Sequence, residues 1–122
     1  MNRIKAKRQK LAKRHARVRS RISGTAEKPR LSVRKSLKYV FLQLIDDERG
    51  LTIVSSSSKG LKAEKDNPYK GKSAVSYEAG KELGKKAVEK KIKKICFDRG
   101  GYAFQGRVKA VAEGARVAGL EF

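Results

Sequence analysis

Apolar and polar side chains alternate from Arg30 to Arg34, where Leu31 and Val33 are separated by polar residues. A period of two is typical of a strand with one buried face. The pattern therefore places Leu31 and Val33 on a core. It also predicts that Arg30, Ser32 and Arg34 form a row on the open face of the sheet.

Two more strands are predicted directly after the first. The segment 39–45 is apolar at nearly every position, which indicates a central strand that is apolar on both faces. Residues 46–50 are rich in acids and end in glycine, as a turn does, and 51–55 read as a third strand. The three strands form an antiparallel meander. Residues 56–71 are polar and rich in turn-forming residues, so we expect a loop there.

Helical periodicity appears in the second half of the chain. Residues 73–90 carry a stripe formed by Gly80, Leu83, Gly84, Ala87 and Val88, whose glycines indicate close packing on a sheet. Residues 92–97 predict a fourth strand, which a helical crossover would make parallel to its neighbour. Apolar residues at helical spacing from 106 to 118, followed by a glycine at 119, predict the last helix.

The elements together predict an α+β fold. We expect a four-stranded mixed sheet, made of the antiparallel three-strand meander plus one strand after a helical crossover, with two helices on one face. A basic N-terminal arm, helical or disordered, precedes it. The expected organisation is an arm at 1–22, a hinge at 23–29 and a single domain at 30–122.

The charge of the chain indicates the kind of partner that it binds. The chain has 32 Lys and Arg against 12 Asp and Glu, a formal net charge of +20. Such an excess favours a polyanion, because self-repulsion otherwise opposes the compact state. Half of it lies in the arm, which has no acidic residue and whose predicted RNA-binding residues are Arg3, Lys5, Lys7, Arg8, Lys10, Lys13, Arg14, Arg17, Arg19 and Arg21.

The arm consists of good helix formers but has a thin apolar seam of Ile4, Leu11, Val18 and Ile22. Like charges repel along the helix, so we expect the arm to be frayed or disordered alone and helical once phosphates neutralise it. A solvated tail is the plainer alternative. A membrane-surface helix is disfavoured because such helices have a broad apolar face.

The loop 98–107 combines three glycines, two aromatic residues and two arginines immediately before the last helix. Helix N-termini attract anions, glycines permit close approach of a sugar-phosphate backbone, and Tyr102 is suited to stacking on a base. The structural alternative is a glycine-rich connection whose aromatic side chains fill the core, with Asp98 paired to Arg99. The residues by themselves favour neither.

Enzyme chemistry finds little support. A single Cys, Cys96, and a single His, His15, exclude a metal site built from Cys or His pairs. Gly71-Lys72-Ser73 resembles the end of a phosphate-binding loop but has Asp66 where the first glycine belongs. We therefore expect no catalytic residues, cofactor, metal or small-molecule substrate. A cytosolic protein without membrane contact is expected; an organelle transit peptide is the alternative for the Arg-rich N-terminus.

Several motifs nevertheless identify a family. The segments 97–102, 106–116 and 119–122, together with Lys28-Pro29-Arg30-Leu31-Ser32-Val33, closely resemble the bacterial form of large-subunit ribosomal protein eighteen, a 5S-rRNA-binding family. The resemblance covers nearly the whole chain. One departure is the dipeptide Phe104-Gln105, where the family usually has Tyr-His.

The resemblance implies a structural protein of the large ribosomal subunit. Such a protein binds 5S rRNA at the central protuberance, near 23S rRNA, ribosomal protein five and other proteins of the protuberance. It implies RNA-binding roles outside the arm for Arg30, Ser32, Arg34, Lys35, Lys38, Arg99, Gly100, Gly101, Tyr102, Gln105, Gly106 and Arg107.

From composition alone, a DNA-compacting protein and a basic RNA-degrading enzyme are the competing hypotheses.

Overall fold

The computed structural model describes residues 3–19, 24–99, 102 and 104–122. Within these residues the elements are α1 (Arg3–Arg19), β1 (Arg30–Lys35), β2 (Val40–Asp46), β3 (Leu51–Ser57), α2 (Lys72–Glu89), β4 (Cys96–Asp98) and α3 (Arg107–Val117). The predicted α+β class is confirmed. None of the described helices is long and apolar enough to cross a bilayer.

The strands form one mixed sheet in the order β3-β2-β1-β4. β1 pairs antiparallel with β2, β2 antiparallel with β3, and β1 parallel with β4. The parallel fourth strand was predicted, but its predicted start at residue 92 was wrong. Residues just before β4 pair with the C-terminal segment instead: Lys94 bridges Glu121, and the Ile95 amide donates to the Glu121 carbonyl at 3.2 Å.

The core lies between one face of the sheet and the two helices of the domain. Alternation along β2 buries Val40, Leu42 and Leu44 completely, and Leu83 of α2 and Val111 of α3 are completely buried as well. β2 is an interior strand, as predicted. The face that carries Val40, Leu42 and Leu44 is buried, whereas the face that carries Phe41, Gln43 and Ile45 is partly or largely exposed.

Glycines allow α2 and α3 to approach closely. A Cβ atom at Gly80 would fall against the carbonyl oxygen of Val111, and one at Gly114 against the carbonyl oxygen of Tyr77, well inside van der Waals contact. Side chains are therefore excluded where the two backbones meet. The glycines of the stripe do mark a close approach, but the predicted partner, the sheet, was wrong, because both Gly80 and Gly84 meet α3 and its C-terminal end.

The described part of the predicted hinge is bound to the sheet. The Gly24 amide donates to Asp47 Oδ2 at 2.6 Å, and the Asp47 amide donates to the Gly24 carbonyl at 3.0 Å. A Cβ atom at Gly24 would collide with the backbone of Arg30 and Ile45. The hydrogen bonds with Asp47 therefore fix the position of Gly24, from which the chain leads into β1.

Candidate nucleic-acid interface

The N-terminal ends of α2 and α3 both contact the turn between β1 and β2, at one end of the sheet. The Lys72 ammonium, at the start of α2, donates to the Leu37 carbonyl at 2.6 Å. Arg107, at the start of α3, donates from Nη1 to the Ser36 carbonyl at 2.7 Å. We call this region the basic end and define it as Arg34, Lys35, Lys38, Lys72 and Arg107.

Each of the two helices at the basic end begins at a glycine. Gly71 and Gly106 have φ values of 62° and 57°, a left-handed conformation that favours glycine, and neither helix has a side-chain cap at its N-terminus. Neither has an acidic residue in its first turn. The positive ends of the helix dipoles and the first amides therefore remain available to an anion.

The arm helix α1 forms a second wall beside the basic end. A cleft of about 340 Å³ lies between Arg8, Leu11 and Ala12 of α1 and Val33, Arg34, Lys35 and Tyr102 of the domain. An adjoining cleft of about 460 Å³ is lined by Lys7, Lys10, Leu11, Arg14, Lys35 and Tyr102. We call these two spaces together the arm cleft. Basic side chains line it on both sides.

Tyr102 lies where the two parts of the arm cleft meet. Its ring is half-buried, and the Lys35 ammonium lies 4.7 Å from the ring centroid, within the range of a cation–π contact. The Tyr102 amide donates to the Arg99 carbonyl at 3.1 Å, which ties Tyr102 to the residue that follows β4.

Arg30 does not belong to this surface. Its side chain is 10% exposed, with Nη1 2.8 Å from Asp98 Oδ2 and Nε 3.0 Å from Asp47 Oδ2. Burial lowers the pKa of the guanidinium, but the hydrogen bonds and charges of Asp47 and Asp98 outweigh it and raise the pKa. Arg30 is thus a charged structural link between β1, the β2–β3 turn and β4.

Comparison with known proteins shows the family. The family model for ribosomal L18 of archaea, bacteria, mitochondria and chloroplast matches residues 5–122. The chain belongs to the ribosomal L18 family. The relative in Staphylococcus haemolyticus is 54% identical over 110 residues, which is 90% of each chain. The relative in Dictyoglomus thermophilum is 51% identical over 124 residues, 98% of each chain. Both are named large ribosomal subunit protein uL18.

The resemblance to the L18 family that the sequence motifs indicated is therefore confirmed. In the structure, eight of the predicted arm residues lie on α1 and have exposed side chains: Arg3, Lys5, Lys7, Arg8, Lys10, Lys13, Arg14 and Arg17. The side chain of Arg19, and all of Arg21, Gly100 and Gly101, lie outside the described residues.

The structure exposes most of the remaining residues that the L18 resemblance implied. Exposed are Arg34, Lys35, Lys38, Arg99, Gln105 and Gly106, whereas Tyr102 and Arg107 are half-buried. Arg30 and Ser32 are buried, each 8% exposed, so the predicted row on the open face was wrong for both. β1 is an interior strand, and Ser32 lies between Gln43 of β2 and Asp98 of β4. The structural alternative for the loop paired Asp98 with Arg99; the described partner of Asp98 is Arg30.

The departure from the family pattern at Phe104 has a packing role. The Phe104 ring meets Phe97 edge-on, with centroids 6.0 Å apart. Phe97 in turn stacks on Phe122 at 5.4 Å. Phe104 thus extends an aromatic cluster at the sheet edge, and the exposed Gln105 retains a donor and an acceptor.

Sequence reasoning missed two contributors to the interface. Lys72 was considered only as part of an incomplete phosphate-binding motif, yet it holds the β1–β2 turn. Leu11 was read as one member of a thin seam, yet it lines both parts of the arm cleft. The signal for Leu11 was its isolation as the only leucine in a polar helix. No group of His, Cys, Asp or Glu among the described residues is arranged to hold a metal ion.

Proposed function

We propose that this protein is a structural, non-catalytic component of the large ribosomal subunit that binds 5S rRNA. It would help attach that RNA to 23S rRNA in the central protuberance, beside ribosomal protein five and other proteins of the protuberance, in a bacterial cytoplasmic ribosome. Two observations support the proposal: the membership of the L18 family and the names of the relatives. The resemblance of the C-terminal motifs supplies 5S rRNA as the specific ligand.

The arm cleft is the observation that carries an RNA-binding role. Lys7, Arg8 and Lys10 face Arg34 and Lys35 across it, with an aromatic ring between the two walls. Like charges in such proximity repel each other, and a phosphate chain between them removes that repulsion. A sugar-phosphate backbone therefore fits the charge of the cleft.

The domain and the arm contribute differently to the proposed binding. Lysines and arginines of the arm release counterions, which gives affinity without selecting a sequence. The basic end presents two helix N-termini and Arg107, which is held by the Ser36 carbonyl, and these groups respond to the shape of folded RNA through phosphates and 2′-hydroxyls. The domain therefore selects the RNA that the arm helps to hold.

A competition experiment tests the proposed ligand. The full-length protein is bound to labelled 5S rRNA at physiological salt and challenged with unlabelled 5S rRNA or with duplex DNA of equal length. We expect 5S rRNA to compete at least about tenfold better, since specific complexes exceed nonspecific ones by larger factors. Better competition by duplex DNA would favour a DNA-compacting role and contradict the proposal.

Arg34 and Arg99 test where selectivity resides. Each is exposed on the domain, and we expect Arg34→Ala and Arg99→Ala to weaken binding of 5S rRNA more than binding of a generic RNA duplex. Lys85→Ala is the matched control, because it removes an exposed charge near the far end of α2. Equal losses on both RNAs would mean that the two arginines supply only nonspecific charge.

A further inference from the structure

Two aromatic side chains are exposed at the beginning of β2. Tyr39 is 41% and Phe41 is 42% exposed. Val40 between them is completely buried; Phe41 lies on the face of β2 opposite to the core, and Tyr39 immediately precedes the strand. Neither ring stacks on another aromatic ring in the described part of the chain.

The surroundings of Phe41 are polar on both neighbouring strands. In the sheet register it lies opposite Arg34 of β1 and Ser57 of β3. The next row on the same face contains Gln43 and Ser55. Arg34 and Ser55 are exposed, whereas Gln43 and Ser57 are half-buried. An exposed aromatic ring is thus framed by hydrogen-bonding groups and one cation.

This frame distinguishes a nucleic-acid base from an apolar protein surface. A base offers a flat π-face to the ring and hydrogen-bonding edges to the hydroxyl and amide groups around it. Its phosphate is complementary to Arg34 and to Lys38, which adjoins Tyr39 in the chain, and to a net charge of +20. An apolar partner would leave Arg34 and Gln43 covered without matching groups.

The spacing of the two rings in the chain suits more than one base. Residues two apart in extended chain are separated by roughly 7 Å, about the reach of two neighbouring bases. We propose that Tyr39 and Phe41 form a stacking platform for two neighbouring unpaired bases of the bound RNA, with Arg34 and Lys38 near their phosphates. The identity of that RNA rests on the proposed function; the platform itself rests on the exposed rings.

A tryptophan reporter tests contact at the platform. The chain contains no Trp, so Phe41→Trp in the full-length protein introduces a single fluorophore. Leu51→Trp is the matched control, at a position 46% exposed and paired with Asp46 at the other end of the sheet. We expect 5S rRNA and single-stranded heptauridylate both to quench the emission of the Phe41→Trp variant and to shield it from iodide, with little change for Leu51→Trp.

Affinity tests whether the contact contributes to binding. Phe41→Leu keeps an apolar side chain but removes the ring, and we expect roughly tenfold weaker binding of 5S rRNA. The dependence of log affinity on log salt should not change, because the substitution removes no charge. Phe41→Tyr keeps the ring and should bind within about twofold of the original protein.

The outcomes separate the two proposals. Unchanged emission of the Phe41→Trp variant with both RNAs, or unchanged affinity of Phe41→Leu, overturns the platform whichever RNA the protein prefers. If heptauridylate quenches the Phe41→Trp variant but the unsubstituted protein shows no preference for 5S rRNA, the platform stands and the proposed ligand is wrong. Equal quenching of the Leu51→Trp control overturns the assignment to this face.

Discussion

Arg30 and Arg34 lie four residues apart on β1, yet their surroundings differ completely. Arg30 is held between Asp47 and Asp98, whereas Arg34 is exposed and lines the arm cleft. Since both point to the same side of the strand by alternation, their environments differ because of what lies beside each end of β1. The two carboxylates lie beside the Arg30 end.

Substitution of Arg30 should therefore affect mainly the stability of the fold, and substitution of Arg34 mainly the binding of RNA. Arg30→Ala leaves the completely buried Asp98 without this cation, and we expect the free energy of unfolding to fall by about 3–5 kcal/mol. Arg34→Ala, the matched control on the same strand, should change it by no more than about 0.5 kcal/mol while weakening RNA binding. Urea unfolding measures the first effect and RNA titration the second.

Arg30→Lys refines the test. A lysine keeps the positive charge but lacks the planar guanidinium that hydrogen-bonds to both carboxylates. Its free energy of unfolding should lie between those of the original protein and of Arg30→Ala. Equal stability of Arg30→Ala and Arg34→Ala would contradict the structural role of Arg30.

Tyr69 provides a pH-dependent contribution. Burial and then its hydrogen bond to Glu113 raise the pKa of the Tyr69 hydroxyl from 10.0 to about 12. Because the folded state favours the neutral hydroxyl, this contribution is complete below pH 10 and is lost as the pH rises through about 12. We expect the stability difference between the original protein and Tyr69→Phe to shrink over that interval.

Absorbance at alkaline pH measures the same group directly. The phenolate of Tyr69 should form as the pH rises through about 12, and this step should be missing from the titration of Tyr69→Phe. A stability difference that is constant from pH 9 to the alkaline end of the titration would contradict this assignment.

At the scale of the elements, helix propensity and steric overlap have opposite effects where α2 and α3 cross. Gly114→Ala improves helix propensity by about 1 kcal/mol, but its Cβ would press on the Tyr77 carbonyl. Since backbone cannot give way as a flexible side chain can, we expect overpacking to prevail and the free energy of unfolding to fall by roughly 1–3 kcal/mol. Thermal or urea unfolding measures the sign.

Val117→Ala is the control for helix propensity on the same helix. Val117 is 63% exposed, so its replacement should change stability by no more than about 0.5 kcal/mol. A gain in stability from Gly114→Ala would show that the helices can separate at little cost.

Elements with a clear local periodicity were predictable from the sequence. The alternation at Leu31 and Val33 located β1, and the glycine stripe located the closely packed α2. The start of β4 was not predictable, because Lys94 and Ile95 pair with Glu121, which is distant in sequence. Apolar residues alone do not distinguish a sheet strand from a single bridge.

The candidate site was predictable in its charges but not in its geometry. The exposed arm and Arg34 follow from composition and alternation. The burial of Arg30 depends on Asp47 and Asp98, which are 17 and 68 residues away. The aromatic face was missed because Phe41 lies in a run that looks uniformly apolar; only its alternation with the buried Val40 and Leu42 reveals two faces.

At the scale of the whole molecule, the position of charge should matter as well as its amount. We expect Lys7→Gln combined with Lys10→Gln to flatten the plot of log affinity for 5S rRNA against log salt, by roughly 0.7–0.9 for each phosphate that the protein no longer neutralises. Deletion of residues 1–21 should flatten it further. Both lysines line the arm cleft.

The matched control removes the same net charge elsewhere. Lys85 and Lys93 are exposed and lie toward or beyond the C-terminal end of α2, away from the basic end. Lys85→Gln combined with Lys93→Gln should leave the salt dependence nearly unchanged. Equal slopes for the two double variants would mean that the arm contributes only to the net charge.

The attachment of Gly24 to the sheet has a consequence for how the complex forms and dissociates. Only residues 20–23 separate the end of α1 from Gly24. Once the domain has bound RNA, the arm is confined near the same RNA at an effective concentration on the order of millimolar. An arm that binds weakly as a free peptide would then be largely bound, and either half could rebind before the other leaves. Supplying the arm as a separate peptide should restore binding of the truncated domain only near millimolar concentration.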